Sequence, residues 1–333
     1  MQTLARMHSL VSAIKRRPRL RRTLEAVAAL AVIGLSAYAV KGEWSKAEPQ
    51  LANARLTDVG LALATVAVYY LVFIFGWIRI LATWNIRVSY RAALQAEMTS
   101  MLAKYIPGGV WTPAARVAAL ERLTGEAATG TILASILVEA ILSALSGIVV
   151  FVISLAWVRN VDAPLLPLVL FALVCVAILH PRIFRPATAR LLRPFGLAPL
   201  EPLPFRTMAA LLGFYCCTWV IGGLGLYFLI RSLDSAPGIA TIPFLGGTAA
   251  IGAIVAVLAI FAPSGLGVRE ASMYALLIAV TSAPTALGAT ILNRLVITVV
   301  ELALFLAGIA IWRLMRTSEK VGGDGIEPHR IEI

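Results

Sequence analysis

Two charged segments broken by proline and glycine interrupt an otherwise apolar sequence, one in each half of the chain. The first runs from Lys104 to Trp111 and contains Tyr105, Pro107, Gly108 and Gly109. The second runs from Pro263 to Glu270 and contains Gly265, Gly267 and Arg269. A helix that breaks at membrane depth leaves backbone groups that lipid cannot satisfy, so such breaks persist only where protein or a wet cavity surrounds them. Breaks in both halves predict a transport site where two repeats meet.

The charges around the two breaks predict an anion-binding site. The basic residues are Lys104, Arg116, Arg269 and Arg294, and the acidic ones are Glu139, Glu270 and Glu301, which leaves one excess positive charge (4 − 3 = 1). Helices that begin after Gly109 and Gly267 would add free N–H donors and positive dipole ends. We therefore expect a phosphate or a similar anionic group to bind here. Tyr105 and Trp111 would stand at the mouth of the site, although an aromatic belt at the membrane surface explains both rings equally well.

Three of these charges lie inside long apolar runs, where each costs about 2.5–3.5 kcal/mol at a helix centre. They are Glu139, Arg294 and Glu301. Such residues face a bundle interior or a cavity and find partners there, so we predict an intramembrane charge network. Arg294 and Glu301 are two turns apart and share one helix face. An alternative is an ion pair, such as Glu139 with Arg294, that only pins two helices together.

Other side chains give little support to catalysis. The three histidines, at 8, 180 and 329, are scattered, and the aspartates fall in predicted loops or in the tail without forming a pair. No Gly-rich phosphate loop of the soluble nucleotide enzymes is present. Cys175, Cys216 and Cys217 fall in apolar runs and suit packing better than metal binding. We predict no catalytic residues, no metal and no cofactor.

Composition places the chain in the membrane. Of its 333 residues 60% are hydrophobic and only 14% charged, well below the roughly 25% charged residues of soluble proteins. The net charge is +12, and basic residues cluster in alternate connections, as the positive-inside rule requires. We expect a multi-pass protein of the cell membrane with both termini cytoplasmic and 41–57, 158–162 and 232–238 outside. Anionic lipid contact explains the basic N-terminus more simply than nucleic-acid binding does.

The hydrophobic pattern predicts an all-α integral membrane protein with about 7–8 transmembrane helices and two re-entrant elements. Apolar runs fall near 24–40, 58–81, 127–157, 163–180, 207–231, 239–261, 270–283 and 284–314. Residues 88–103 predict an amphipathic or partly inserted helix that leads into the first break, and 181–206 a long cytoplasmic connection. We divide the chain into a basic N-terminus (1–23), one membrane domain (24–316) and a disordered tail (317–333). A signal peptide that is cleaved near Ala39 is an alternative for the first run.

Residues 270–283 leave two alternatives open, because this run is short for a membrane span. It either crosses the membrane or pairs with 239–261 as a hairpin that enters and leaves from outside. In the hairpin alternative the halves 58–157 and 207–314 repeat one order of span, broken element and span, with opposite orientation. That order is typical of inverted-repeat transporters.

The two broken segments resemble motifs of the lysylphosphatidylglycerol synthase transmembrane family. Lys104 to Trp111 with Arg116 resembles its first motif, and Pro263 to Ala271 its second. Glu139, Arg294 and Glu301 fit the positions of its charged helices. The resemblance implies a polytopic protein that moves or binds a lipid with an anionic or glycosylated head. Full-length synthases carry an aminoacyl-transferase domain after the membrane part, whereas this sequence ends soon after Leu314, so we do not expect lysyl transfer.

Two functions from different classes follow. The first is a lipid flippase, or a translocator of a lipid-linked precursor, that binds the head group in a midplane cavity. The alternative is an integral membrane glycosyltransferase, or an accessory factor, that acts on polyprenyl-phosphate-linked lipids. A membrane scaffold without transport is a third. The expected partner is a phospholipid or polyprenyl-linked lipid, with either a homodimer or a separate synthase or glycosyltransferase as the protein partner.

Overall fold

The computed structural model describes residues 49, 52, 54–103, 111–125, 128–158, 161, 165–193, 199–234, 237–259 and 267–322. The predicted first span (24–40) and the last residues of the tail lie outside this part of the chain. Residues 104–110 and 260–266, which hold most of both predicted breaks, lie outside it as well. The helices on either side of each break are described, so the fold can still be followed to the edges of the site.

All regular secondary structure in the described ranges is helical, and these ranges contain no strand, which confirms the predicted all-α class. The helices are α1 (Leu56–Thr83), α2 (Tyr90–Ala103), α3 (Trp111–Thr124), α4 (Thr129–Ser154), α5 (Leu165–Leu179), α6 (Pro181–Leu192), α7 (Phe205–Leu233), α8 (Ile242–Leu258), α9 (Val268–Leu277) and α10 (Ala283–Gly322). A 3₁₀ turn, Ile239–Thr241, leads into α8. The long apolar runs fix the bounds of α1, α4 and α7 to within a few residues of prediction.

Five helical stretches of the described chain are long and apolar enough to cross a membrane. They are Leu56–Thr83, Thr129–Ser154, Phe205–Leu233, Ile239–Leu258 and Ala283–Ile309. A sixth is reached if α5 and α6, which meet at a bend of 74°, count as one broken span. The predicted number of about 7–8 includes the run 24–40, which is not among the described residues.

Two segments are more helical than predicted. The Arg- and Pro-rich connection after residue 180 contains the helix α6, with proline at its first position and the His180 ring accepting the Arg182 N–H at 3.3 Å. Proline suits this position because the first N–H of a helix needs no intrahelical partner. At the other end, α10 continues to Gly322, so the tail predicted to be disordered from 317 begins as helix.

Contacts between helix ends sort the connections onto two faces of the bundle. On one face, Arg231 binds Asp58 at 2.5 Å and the Arg55 N–H donates to the Ser232 carbonyl at 2.8 Å. Trp157 joins them through a 2.7 Å bond from its indole N–H to the Ala240 carbonyl. The connections before α1, after α4 and after α7 therefore share a face, as the charge pattern predicted. On the opposite face, the Trp84 indole N–H donates to the Glu201 carbonyl at 2.9 Å.

The segment from α8 to α9 begins and ends on the same face. Near the start of α10, Thr285 Oγ1 lies 3.4 Å from Asp234 Oδ2, which immediately follows α7. The α9 helix has ten residues, or about 15 Å at 1.5 Å per residue, about half of a 30 Å membrane core. A helix of this length suits the hairpin alternative for 270–283, which stays a prediction.

Packing between the halves is reciprocal. In the first half α2 packs against α10 of the second half, and in the second half α8 packs against α4 of the first. The equivalent first spans, α1 and α7, pack directly against each other. This exchange is the arrangement that two repeated halves would produce. The inverted orientation of the repeats stays a prediction.

Candidate functional site

Arg116 lies at the centre of the most enclosed charge cluster in the described chain. Its Nε is 2.6 Å from Glu97 Oε2, and its Nη1 is 2.5 Å from Glu139 Oε2. The Trp77 ring lies 3.6 Å from the guanidinium carbon, a cation–π contact that gains strength when water is excluded. The exposed fractions of Glu97, Glu139 and Arg116 are 1%, 3% and 5%. We call these three charged side chains the carboxylate–arginine cluster.

Helices α2, α3 and α4 carry the three charges of this cluster, and α1 and α7 supply aromatic side chains that contact it. The Tyr215 hydroxyl on α7 donates to Glu139 Oε1 at 3.3 Å. The Trp77 indole N–H on α1 donates to Ser135 Oγ at 2.8 Å, one turn before Glu139 on α4. Glu139 lies ten residues from the first residue of α4 and fifteen from its last, so about 15 Å and about 22 Å from the two ends. Glu139 therefore lies near the middle of a long apolar helix, and the rest of the cluster contacts this helix there.

The second break ends in a helix N-terminus whose acidic residue is bound within the protein. The α9 helix begins at Val268, directly after Gly267, as predicted. Gly267 has φ of +80°, a left-handed conformation that glycine adopts without cost. Glu270 accepts the Gly267 N–H through Oε2 and Arg294 Nη1 through Oε1, both at 2.7 Å. Both carboxylate oxygens are engaged, which ties α9 to α10.

A second carboxylate on α10 is bound by the first helix. The Tyr70 hydroxyl donates to Glu301 Oε1 at 2.5 Å. Arg294 and Glu301 are both buried on α10, with exposed fractions of 6% and 1%. The shared interior face that their spacing predicted is thus confirmed.

Arg269, the second residue of α9, has no ion pair to any acidic residue that the structure describes. Its side chain is half-buried and lies against Gly252 of α8, where a Cβ in place of the glycine hydrogen would come within 3.3 Å of Arg269 Cγ. Arg269 therefore places a positive charge at the N-terminus of α9, against α8.

The two halves meet where α2, which carries Glu97, packs against α10, which carries Arg294 and Glu301. The stronger prediction, that residues 107–111 and 263–269 lie close together near mid-membrane, falls largely outside the described residues.

Glu97 is the functional candidate that sequence reasoning missed. With it, the described charges around the two breaks are three arginines (116, 269, 294) and four glutamates (97, 139, 270, 301), a sum of 3 − 4 = −1. The predicted excess of one positive charge omitted Glu97 and counted Lys104, which the structure does not describe. A signal was available, because Glu97 is the sole acidic residue in the helix that leads into the first break.

The remaining predicted site residues divide into two groups. Lys104, Tyr105, Pro107, Gly108, Gly109, Pro263 and Gly265 lie outside the described residues. Of the others, Trp111 opens α3 with 48% of its surface exposed. The alternative of a Glu139–Arg294 pair is wrong, because Glu139 binds Arg116 whereas Arg294 binds Glu270. Arg116, predicted as a head-group ligand, is instead held by two acids of the protein.

Comparison with known proteins places the chain in a family. A family model described as the lysylphosphatidylglycerol synthase TM region matches residues 24–304. A comparison with curated proteins gives no match. The matched range covers most of the chain and includes both broken segments and every charge described above. Together with its apolar helices, it identifies a multi-pass membrane protein, and the chain belongs to the lysylphosphatidylglycerol synthase transmembrane-region family.

Proposed function

We propose that this chain is a lipid flippase that binds an anionic or glycosylated head group between its two broken elements. The head group enters the interior of the bundle, and the acyl or polyprenyl chains remain in the surrounding lipid. The protein acts in the cell membrane with both termini in the cytoplasm. The lipid is its partner, and a second copy or a separate synthase or glycosyltransferase supplies or receives it.

The observation that carries this proposal is the environment of Arg269. The other two interior arginines of the described chain are neutralised by glutamates, whereas Arg269 has no described acidic partner. It stands at the start of α9, where the first N–H groups of a helix have no partner within the helix and the dipole is positive. A phosphate oxygen placed there gains a charge-assisted bond in addition to the attraction of the helix end.

The remaining charges support this site without contacting the lipid in our proposal. Arg116 joins three helices of the first half, and the Glu270–Arg294 pair joins α9 to α10. Lys104 remains a proposed second ligand from the first break.

Lipid retention by purified protein tests the proposed binding role of Arg269. Wild type, Arg269→Ala and Arg206→Ala are purified in mild detergent, and bound lipids are identified by mass spectrometry against the bulk membrane lipids. Arg206 is the matched control, because it is exposed at the start of α7. A hydrogen bond to a charged group contributes about 1.5–3 kcal/mol, so we expect Arg269→Ala to retain at least about tenfold less anionic lipid. Equal retention by all three proteins would exclude Arg269 as a head-group ligand.

A further inference from the structure

The two carboxylates of the carboxylate–arginine cluster share a single guanidinium. Within this cluster one guanidinium contacts both carboxylates, and the described Glu97, Arg116 and Glu139 are each no more than 5% exposed. Keeping both carboxylates ionised places an uncompensated negative charge in a medium that solvates it poorly. Two carboxyl groups at one site relieve this cost when one of them holds a proton.

The two carboxylates are not equivalent. Glu139 accepts hydrogen bonds from Arg116 Nη1 and from the Tyr215 hydroxyl. Glu97 Oε2 lies 2.6 Å from Arg116 Nε, and this ion pair is the one described contact that compensates its carboxylate. The neighbouring Ser100 hydroxyl binds the Glu97 backbone carbonyl and not its carboxylate. The ionised form of Glu97 is therefore the less well compensated of the two.

Among the described residues, Arg116 is the cation in contact with Glu97, whereas Arg269 at the start of α9 makes no ion pair with it. Arg116 on α3 is its favourable partner, whereas Glu139 on α4 and Glu301 on α10 are like charges. The Tyr70 hydroxyl on α1 donates to Glu301 and the Tyr215 hydroxyl on α7 donates to Glu139, so neither of these bonds reaches the Glu97 carboxylate. On α10, Arg294 directs its Nη1 to Glu270.

Glu97 differs from Glu139 in the helix that carries it. It lies on α2, which is not among the helices long and apolar enough to cross the membrane. Burial raises the pKa of Glu97 to about 7, with Arg116 opposing this rise and Glu139 and Glu301 adding to it. Protonation of Glu97 in the physiological pH range is thus consistent with the geometry.

We propose that the carboxylate–arginine cluster binds one exchangeable proton, carried by Glu97 while Arg116 and Glu139 remain an ion pair, and that lipid movement is coupled to this proton. The chemical step is the addition of H⁺ from water to the Glu97 carboxylate and its later return to water. The coupling rests on the flippase function proposed above. The proton site itself does not.

The position of α2 gives the coupling a physical route. Glu97 is six residues from Ala103, where α2 ends before the first broken segment. The α2 helix packs against α3 and α10, which carry Arg116 and Glu301. Adding or removing a charge on Glu97 changes the attraction to α3 and the repulsion from α10. Both changes act on α2, which ends directly before the first broken segment.

Infrared titration of the purified protein tests the proton site without any transport. We expect the C=O band of a protonated carboxyl group in wild type to disappear as the pH rises through about 7. Glu97→Gln removes this transition. Glu139→Gln shifts it to lower pH, because Glu97 then has the whole guanidinium to itself. The control Glu201→Gln, at an exposed ion pair with Arg185, leaves the transition unchanged. A transition that is absent, or identical in Glu97→Gln, overturns the proton site.

Proteoliposomes with a pH gradient test the coupling. We expect lipid movement by wild type to change severalfold when the gradient is imposed or reversed, and movement by Glu97→Gln to be indifferent to it. Lipid movement by wild type that ignores the gradient overturns the coupling and leaves the flippase function intact. No lipid movement at any pH overturns the flippase function and the coupling together, while the infrared titration still decides the proton site.

Discussion

Arg116 compensates the charges of two buried carboxylates. Its guanidinium contacts two carboxylates and an aromatic ring on three different helices. Removing one partner of a buried ion pair leaves the other charge uncompensated, whereas removing a half-buried arginine without a described acidic partner does not. The stability of the bundle should therefore depend on Arg116 far more than on Arg269.

Substitution of Arg116 by methionine tests this difference. Methionine keeps most of the volume but leaves Glu97 and Glu139 without a counter-charge, which typically costs about 3–5 kcal/mol. We expect a large fall in the unfolding midpoint of Arg116→Met, an intermediate fall for Glu139→Ala, which leaves Arg116 paired with Glu97, and little change for Arg269→Ala. Unfolding of all three variants in the same detergent provides the measurement. Equal midpoints for Arg116→Met and Arg269→Ala would show that the cluster does not stabilise the fold.

The partners of these residues were beyond sequence reasoning. Arg116 and Glu139 were both predicted as interior charges, but their pairing joins α3 to α4 across 23 positions. Spacing along one helix, which identified the shared face of Arg294 and Glu301, carries no information about contacts between helices. Glu97 was missed because α2 was predicted to be amphipathic, so a single acidic residue in it raised no question.

Close contact of α7 with α8 depends on glycine. A Cβ on Gly223 would overlap the Ile242 carbonyl oxygen and the Gly246 backbone nitrogen, and a Cβ on Gly246 would overlap the Trp219 carbonyl oxygen. Small residues let helix backbones approach closely where lipid supplies no hydrophobic driving force. The α8 helix is thus held against α7 by backbone contact.

Alanine substitutions along α7 test this contact. We expect Gly223→Ala to lower the free energy of unfolding by about 1–3 kcal/mol, the usual cost of overpacking. A Cβ on Gly213 of the same helix would have no neighbouring atom within 4 Å, so Gly213→Ala should be neutral or slightly stabilising, because alanine is the better helix former. Comparable losses for both variants in a denaturation series would argue against the close contact.

Helix prediction succeeded where apolar length decides the structure and failed where it does not. Uninterrupted apolar runs define α1, α4 and α7, because a membrane span needs about 20 such residues. The α6 helix was predicted to be a connection because arginine and proline dominate its composition. Pro181 stands at the first helical position, where proline is tolerated, but the helix also continues through Pro186.

The arrangement of connections on two faces gives the whole molecule an orientation that can be measured. The face formed by Arg55, Asp58, Arg231 and Ala240 is predicted to lie outside, and the face that carries the basic helix α6 inside. The positive-inside rule is the physical reason, because basic residues are retained on the cytoplasmic side.

Cysteine labelling of intact cells tests this topology. Cys175, Cys216 and Cys217 are first replaced, because they are free thiols. A membrane-impermeant maleimide should then label Gly238→Cys in intact cells, and Arg190→Cys only after permeabilisation. Both positions are exposed in the structure. Labelling of Arg190→Cys from outside would invert the predicted orientation.

Lipid movement in proteoliposomes tests the central claim most directly. Wild type, Arg269→Ala and the control Arg206→Ala are reconstituted with a fluorescent anionic lipid, and the fraction that becomes accessible to a membrane-impermeant quencher is followed with time. We predict rapid movement with wild type and Arg206→Ala, and a rate with Arg269→Ala that equals protein-free liposomes while its melting curve stays unchanged. Normal lipid movement by folded Arg269→Ala would contradict the head-group role of this residue and would leave the interior charges as structural links between helices.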